Sequence, residues 1–409
     1  MSNGSIRPGA AETWDALVVG AGPAGCAAAY DLAALGRRVL LVDRAVFPRP
    51  KACAGGLTMK AVRALRYSVE PVVRRRVNSI DLEGLGLPED AGRERRTVAR
   101  RKAVCAMTMR EELDDFCLRK TLERGAHFQR IAPIGAVAPG DAHVTVHCTD
   151  GQTLTARFVI GADGVHSAIR KLCFPQAAVD EGGWFRKGFA IEANVSYREA
   201  AERFPLVFDF APDDRAPLRG YGWLFPRDTH VNVGLYAEEA ARGSSRLNRT
   251  RLEAYIAARC GAERDISAPV GQFLGLGAAA YRPSAGTRVL LAGDAGGFVD
   301  PLTGEGIYGA IRSGQASASA VEAGLRAPAR EVLAAHFLSA SSRLRSDLQV
   351  AELAASRFYA APQKGFALLR LPLVPRAVLH AYAEGLSLAR LLQGVRLARR
   401  LLPDARSQA

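Results

Sequence analysis

What this sequence lacks narrows it first. No uninterrupted apolar run reaches the ~18 residues that a membrane-spanning helix needs, so no span is expected. The opening MSNGSIRPGAAETW has no hydrophobic core, and no secretion signal is expected there. Cysteine is sparse: seven residues, at 26, 53, 105, 117, 148, 173 and 260, with no C-x-x-C pair among them. An odd, scattered set argues against a disulfide framework or a zinc knuckle and for a reducing compartment. No metal site is expected. There is no H-E-x-x-H, no G-x-S-x-G and no Ser/His/Asp pattern, so the common hydrolase machineries are absent. Lysine is scarce too: 48 arginines against 7 lysines carry a formal net charge of +14. No zinc-finger spacing or aromatic RNA-binding run accompanies that charge, so nucleic acid is not the expected partner. A membrane surface or an anionic substrate suits it better, and an arginine-rich codon bias accounts for it equally well.

What remains is an ordinary globular composition: 409 residues, 48% hydrophobic, 23% charged, with 40 glycines. The length suits two or three domains. Asp15 to Gly20 (DALVVG) reads as a buried parallel strand, being short, β-rich and closed by glycine. Pro23 to Leu35 is an alanine-rich helix stopped by Gly36, and Arg38 to Asp43 is the next strand. Between the first strand and the helix stands Gly20-Ala-Gly22-Pro23-Ala24-Gly25. Gly20 permits the tight turn, Gly22 lets backbone N–H groups approach a pyrophosphate at the helix N-terminus, and Gly25 lets helix and strand pack closely. Asp43, 23 residues after Gly20 and followed by Arg44, stands where an acid binds a ribose hydroxyl pair. Phe47 to Leu57 is a Pro- and Gly-rich loop, Arg110 to Gly125 a helix, and Leu154 to Ile160 a strand running into Gly161-Ala-Asp163-Gly164. Gly183 to Gly271 alternates short β-like runs with turns, as an antiparallel sheet does. Arg288 to Ala292 is a further buried strand, followed by GDAGGFVDPLTGEG and a helix from Ile307. From Arg330 the pattern is helical, broken by Pro362, Pro372 and Pro375.

Two of these segments, GADGVHSAIRK (Gly161 to Lys171) and GDAGGFVDPLTGEGIYGAIRSG (Gly293 to Gly314), resemble signatures of the p-hydroxybenzoate-hydroxylase-like flavoprotein superfamily. The resemblance implies non-covalent FAD, with Asp163 and Gly293-Asp294 at the cofactor and Asp294 on the ribityl chain. Gly304-Glu-Gly306, opening the helix at Ile307, points a positive helix end at the flavin carbonyl. Within the superfamily the chain is similar to the geranylgeranyl reductase family over roughly residues 14 to 320. Lys51-Ala-Cys53-Ala-Gly55-Gly56-Leu57 is similar to that family's K-x-C-G-G-G-L loop beside the isoalloxazine. Tyr221-Gly-Trp223-Leu-Phe225-Pro226 is similar to its Y-x-W-x-F-P prenyl-tunnel motif, and His230-Val-Asn-Val-Gly234 follows as that motif expects. Two positions depart from the pattern: Ala54 stands where the family has glycine, and Pro217 lies one residue further from the tyrosine than P-x-x-Y requires.

The implied fold is α/β: a Rossmann-type FAD-binding domain with an inserted antiparallel β-sheet substrate domain and a helical C-terminal tail. The expected division gives 1–75, 101–170 and 286–329 to the FAD domain, 76–100 and 171–285 to the substrate domain, and 330–409 to the tail. The implied activity is hydride transfer from reduced flavin to a C=C bond of a geranylgeranyl or other prenyl chain, on a diphosphate, lipid, quinone or (bacterio)chlorophyll. No second dinucleotide fingerprint exists, so NAD(P)H binds transiently as donor, or reduced ferredoxin serves instead. Cys53 is the candidate catalytic thiol, or a small buried residue. Tyr221, Trp223 and Phe225 are a substrate wall, or plain core. Arg110 contacts the cofactor, or pairs on the surface with Glu111 and Glu112. Arg74 to Arg76 and the stretch from Arg93 to Lys102 steer a diphosphate, or are a solvated basic face. His166 is more at home as a structural loop residue than as an acid. A helix over Leu386 to Leu402 carries leucines on one face and arginines around it, for anionic lipid or for the protein's own core. The expected location is cytoplasmic, peripheral on the inner membrane surface. The rival activities are a flavin monooxygenase or halogenase acting on an aromatic ring, and a non-enzymatic isoprenoid carrier.

Overall fold

The computed structural model describes residues 13–85, 92–177, 183–196, 205–212, 218–238, 247–261, 265–327, 331–371, 373–385 and 387. Apart from Ser387, the tail helix expected from Leu386 to Leu402 lies outside the described residues, as does Pro217. The fold is mixed α/β. Its first sheet sets His127–Arg130, Val39–Asp43, Trp14–Val19 and Thr153–Gly161 side by side in parallel, with Val289–Leu291 also parallel to Thr153–Gly161. Val18 faces Leu41 on one side and Ile160 on the other, all three buried. Strands covered on both faces read as continuous apolar runs, which is why VLLV and ALVV carry no polar alternation. Val144–Cys148 and Ile134–Pro139 extend the sheet antiparallel.

The chain leaves this sheet twice and returns. Both excursions feed a second seven-stranded sheet, ordered Val270–Leu276, Arg186–Ser196, His230–Glu238, Gly220–Pro226, Leu206–Asp209, Ser79–Leu85 and Arg93–Ala99. All its pairs are antiparallel but one: Leu206–Asp209 runs parallel to Ser79–Leu85, joining the strands of the two excursions. Tyr221, Trp223 and Phe225 lie on one face with Phe208 and Tyr236, while Leu224 packs on the other face under helix Arg249–Cys260. A small third sheet, Gly56–Thr58, Cys105–Met107 and Arg75–Val77, bridges the two regions.

After helix Ile307–Arg326 come Val332–Ala340, Ser342–Ala360, Pro362–Ala367 and Val374–Glu384. Pro362 and Pro375 were expected to break helices; both stand in the first turn of one. There the missing N–H has no partner to lose, and the fixed φ suits the helix. Phe366 and Leu369 are buried against the second sheet, with the Phe366 ring filling the space a Cβ at Gly84 would need. All seven cysteines are free.

Candidate active site

One cleft of about 660 Å³ runs between the two large sheets. Of the eighteen candidate site residues, seventeen line it; Gly25 does not. Gly25 instead lies against the Gly20 carbonyl, where any Cβ would collide, so it serves helix–strand packing. Gly20 holds φ +102° with its open side against the Ala162 carbonyl, a position no L side chain tolerates. The next helix, Pro23–Ala34, has no side-chain cap. Its first N–H groups open on the cleft beside Gly22, where a Cβ position has only the Arg49 guanidinium, at 3.8 Å. Asp43 fixes this turn from the end of its strand: Oδ2 accepts from the Ala21 N–H at 2.8 Å and Oδ1 from the Ala45 N–H at 2.9 Å. Arg44 follows on the cleft wall.

The second helix that begins on the cleft, Ile307–Arg326, has Gly306 at its N-cap, and in its first turn the Tyr308 N–H donates to Glu305 Oε1 at 2.6 Å. Asp294 sits between Gly293 and this helix start, its Oδ2 accepting from the Gly275 N–H at 3.2 Å. Two helix N-termini opening on one cavity suit a ligand with a pyrophosphate at one end and an electron-rich ring carbonyl at the other. The residues present therefore fit FAD. Asp163 touches the cleft differently. Its oxygens accept from the Ser167 hydroxyl (2.5 Å) and the Ala168 and Ile169 N–H groups (2.7 and 3.2 Å), starting helix Ala168–Cys173. Burial raises its pKa against those hydrogen bonds.

Arg110 is buried, and it pairs with neither Glu111 nor Glu112. It forks onto Asp114 at 2.9 and 2.8 Å, and Arg49 reaches the same carboxylate at 3.1 Å. The surface-pair reading fails because residues one and two along a helix point elsewhere, whereas i+4 lies on the same face. Glu112 pairs with Arg74 instead. Arg76 pairs with Glu70, and Arg93 and Arg95 with Asp209 and Glu83, so these arginines of the basic stretches are already partnered.

Cys53 is half-buried on the cleft wall. Gly55 N–H approaches its Sγ at 3.4 Å, and Cys53 acts electrostatically to raise the Arg110 pKa. Its backbone N–H donates to Glu192 Oε1 at 2.7 Å, and its carbonyl accepts from Arg227 Nη2 at 3.0 Å. The loop needs its glycines. Gly55 has φ +75°, and a Cβ at Gly56 would sit 2.8 Å from the Phe225 ring. Ala54 carries no such demand: among the described residues every positive φ belongs to glycine. Lys51, also on the wall, has its pKa lowered by burial and by Arg110, with Asp294 opposing. Glu192 was not singled out from the sequence. Buried on strand Arg186–Ser196, it takes a hydrogen bond from the Cys53 N–H while burial raises its pKa. Such a carboxyl can hold a proton at the wall of a water-poor cleft. Nothing in EANV marked it, since its partners are remote in sequence. Glu305, at the Ile307 helix start, also has its pKa raised by burial.

Beyond Cys53 the cleft turns apolar. Phe208, Tyr221, Trp223, Phe225 and Tyr236 line it, with Tyr382 added from helix Val374–Glu384. Trp223 Nε1 donates to Asn232 Oδ1 at 2.7 Å. Three tyrosine hydroxyls hold three successive loop carbonyls: Tyr236 to Pro301 (3.2 Å), Tyr359 to Leu302 (2.5 Å) and Tyr221 to Thr303. That loop leads directly into the helix at Gly306. His166 lies exposed at the opposite rim, its ring edge-on to Phe273 at 5.5 Å. Burial and the cations Lys187, Lys171 and Arg170 lower its pKa.

Among the described residues, no group of His, Cys, Asp or Glu could hold a metal ion, and no helix is long and apolar enough to cross a membrane. A family model described as "FAD binding domain" matches residues 13–336. The chain is 31% identical to a menaquinone reductase of Mycobacterium tuberculosis, over 75% of this chain and 76% of that one. It is 28% identical to a geranylgeranyl diphosphate reductase of Rhodobacter capsulatus, over 76% of each. Among solved structures, a geranylgeranyl bacteriochlorophyll reductase-like protein of Thermoplasma acidophilum superimposes with TM-score 0.68 at 20% identity, covering 85% of this chain and 88% of that one. A flavin-dependent brominase superimposes with TM-score 0.71 at 16% identity, covering 96% and 100%, so the fold by itself does not separate reductases from halogenases.

Proposed function

Since this chain belongs to the geranylgeranyl reductase family of FAD-dependent oxidoreductases, we propose that it saturates C=C bonds of a long prenyl chain. The observation that carries this reading is the continuity of the cleft. Two helix N-termini and a set of aromatic rings line one cavity, with the Lys51–Gly56 loop on its wall and Gly304, before the second helix, against Tyr221. Bound FAD supplies the hydride, and electrons come from NAD(P)H or reduced ferredoxin.

The chain's own residues do the rest. Asp43, Arg44, Arg110 and Asp294, with Gly20, Gly22, Pro23, Ala24, Gly293, Gly304, Gly306 and Ile307, bind the dinucleotide; Asp163 and Gly25 support the backbone that shapes the site. Tyr221, Trp223 and Phe225, with Phe208 and Tyr382, exclude water and align the alkene. Cys53 positions the chain and relays the proton, and Glu192 holds that proton behind the loop. In this reading the first sheet and helix Ile307–Arg326 form the FAD domain and the second sheet the substrate domain. The protein works at the cytoplasmic face of the inner membrane. Relatives named menaquinone reductase make a prenylated quinone tail the first substrate to try, followed by geranylgeranyl diphosphate.

The test is anaerobic. The flavin is reduced, a prenyl substrate is added, and flavin reoxidation is followed beside the product's mass. A gain of two mass units per turnover supports saturation. Reduced protein that ignores every prenyl substrate, yet adds oxygen or halogen to an aromatic ring, would overturn it.

A further inference from the structure

Ten large aliphatic residues are exposed among the described residues, and four of them fall between 368 and 378: Leu368 (57%), Leu371 (53%), Leu373 (74%) and Val378 (43%). Such a cluster is not the scatter of single apolar residues that any surface carries. Its neighbours face inward. Phe366, Leu369 and Leu379 are buried with Tyr221, Trp223 and Phe225, and Tyr382 lines the cleft with its ring 5.7 Å from Phe208. The outward leucines therefore sit on the outer side of the helices that close the apolar end of the cleft.

Along this stretch of the sequence the charge has one sign. From Leu353 to Ala383 the sequence holds no Asp or Glu but four cations, Arg357, Lys364, Arg370 and Arg376. Arg370 is tied to Glu94, whereas Arg357, Lys364 and Arg376 are exposed. Exposed leucines and exposed cations on one stretch of helices are what a protein lying on an anionic bilayer presents. A second copy of the chain is a poor occupant, because pairing this face with itself would oppose like charges on a protein already at +14.

We infer that Leu368, Leu371, Leu373 and Val378, with Arg357, Lys364 and Arg376, dock this face onto an anionic lipid bilayer. None of these residues belongs to the helix expected over Leu386 to Leu402. The docking stands on these residues alone. Its purpose, delivery of a membrane-dissolved prenyl chain to the cleft beneath, rests on the function proposed above.

The test is co-sedimentation of the full chain with phosphatidylglycerol or phosphatidylcholine vesicles, for wild type, Leu371→Ser/Leu373→Ser and Arg376→Gln. Wild type should pellet with phosphatidylglycerol, in a salt-sensitive way, and only weakly with phosphatidylcholine. The double leucine variant should lose at least about tenfold in partitioning while its bound-flavin spectrum is unchanged. Arg376→Gln should weaken binding to the anionic vesicles alone. Three results would overturn the inference: wild type that stays in the supernatant, a leucine variant that pellets like wild type, or a dimer in sedimentation velocity that the leucine variant abolishes. Vesicle binding needs no turnover, so a bilayer-binding protein without reductase activity would sink the proposed function and leave this inference standing.

Discussion

Cys53 and Glu192 share one hydrogen bond, and they make separable predictions. Cys53→Ser is nearly isosteric; it should keep the flavin and accept electrons from the donor, yet saturate prenyl bonds at least about tenfold more slowly, about 1.4 kcal/mol of barrier. Stopped-flow reoxidation with the substrate checks this, and unchanged rates would remove Cys53 from the chemistry without touching the enzyme class. Burial raises the Glu192 pKa. Its proton is therefore present at low pH and lost as pH rises through that raised value, and the saturation rate should fall over the same range. Glu192→Gln should flatten this limb and lower the plateau by roughly 100-fold. The stability term has the same sign: a carboxyl that titrates higher when folded favours the folded state at low pH and ceases to as pH rises. Asp43→Ala should cost FAD binding about 1.5–3 kcal/mol, measured by titrating the apoprotein. Part of that loss comes from releasing the Ala21 and Ala45 N–H groups that the carboxylate holds. At this scale the sequence was most legible where spacing carries the chemistry: Gly20, Gly22, Asp43 and Cys53 all lie on the cleft. It was silent where a partner comes from far along the chain, as for Glu192, Tyr236 and Tyr382. For Arg110 the buried partner was Asp114, one turn on, and not the adjacent glutamates.

Among the elements, those with strong local periodicity were readable. The strand Trp14–Val19 and the helices Pro23–Ala34 and Ile307–Arg326 lie within a residue or two of where the pattern placed them. Strands His127–Arg130 and Ile134–Pro139 were not, because they are largely exposed edge pieces whose side chains show no alternation of burial. Prolines 362 and 375 misled in a physical way, since the same missing N–H that breaks a helix interior is harmless in a first turn. Helix Ser342–Ala360 contributes through Tyr359, whose hydroxyl caps the Leu302 carbonyl. Tyr359→Phe should remove the bond to that part-buried acceptor, at a cost of about 0.5–1.5 kcal/mol in urea unfolding. It should also weaken flavin affinity, because Leu302 lies four residues before the helix N-cap at Gly306. Unchanged flavin affinity with reduced stability would show the bond to be scaffolding alone.

For the molecule as a whole, the prediction concerns how the cofactor is held. Every group proposed above to hold it offers a backbone N–H, carboxylate or guanidinium, so acid precipitation should release the yellow colour into the supernatant. A yellow pellet would mean a covalent link. The order of the sheets was only half legible, because pairing such as Leu206–Asp209 with Ser79–Leu85 joins strands more than a hundred residues apart, and no local pattern encodes it. The three tyrosines on the loop at Pro301–Thr303 set a limit on how this protein can diversify. Tyr221 and Tyr236 are both wall and tether: each presents a ring to the cleft and a hydroxyl to the cofactor-side loop. Phe208 and Phe225 present rings only. A library randomised at 208 and 225 should therefore yield flavin-loaded proteins with altered chain preference, whereas one randomised at 221 and 236 should mostly yield colourless ones. New specificities are open to this scaffold along one row of its wall and closed along the other.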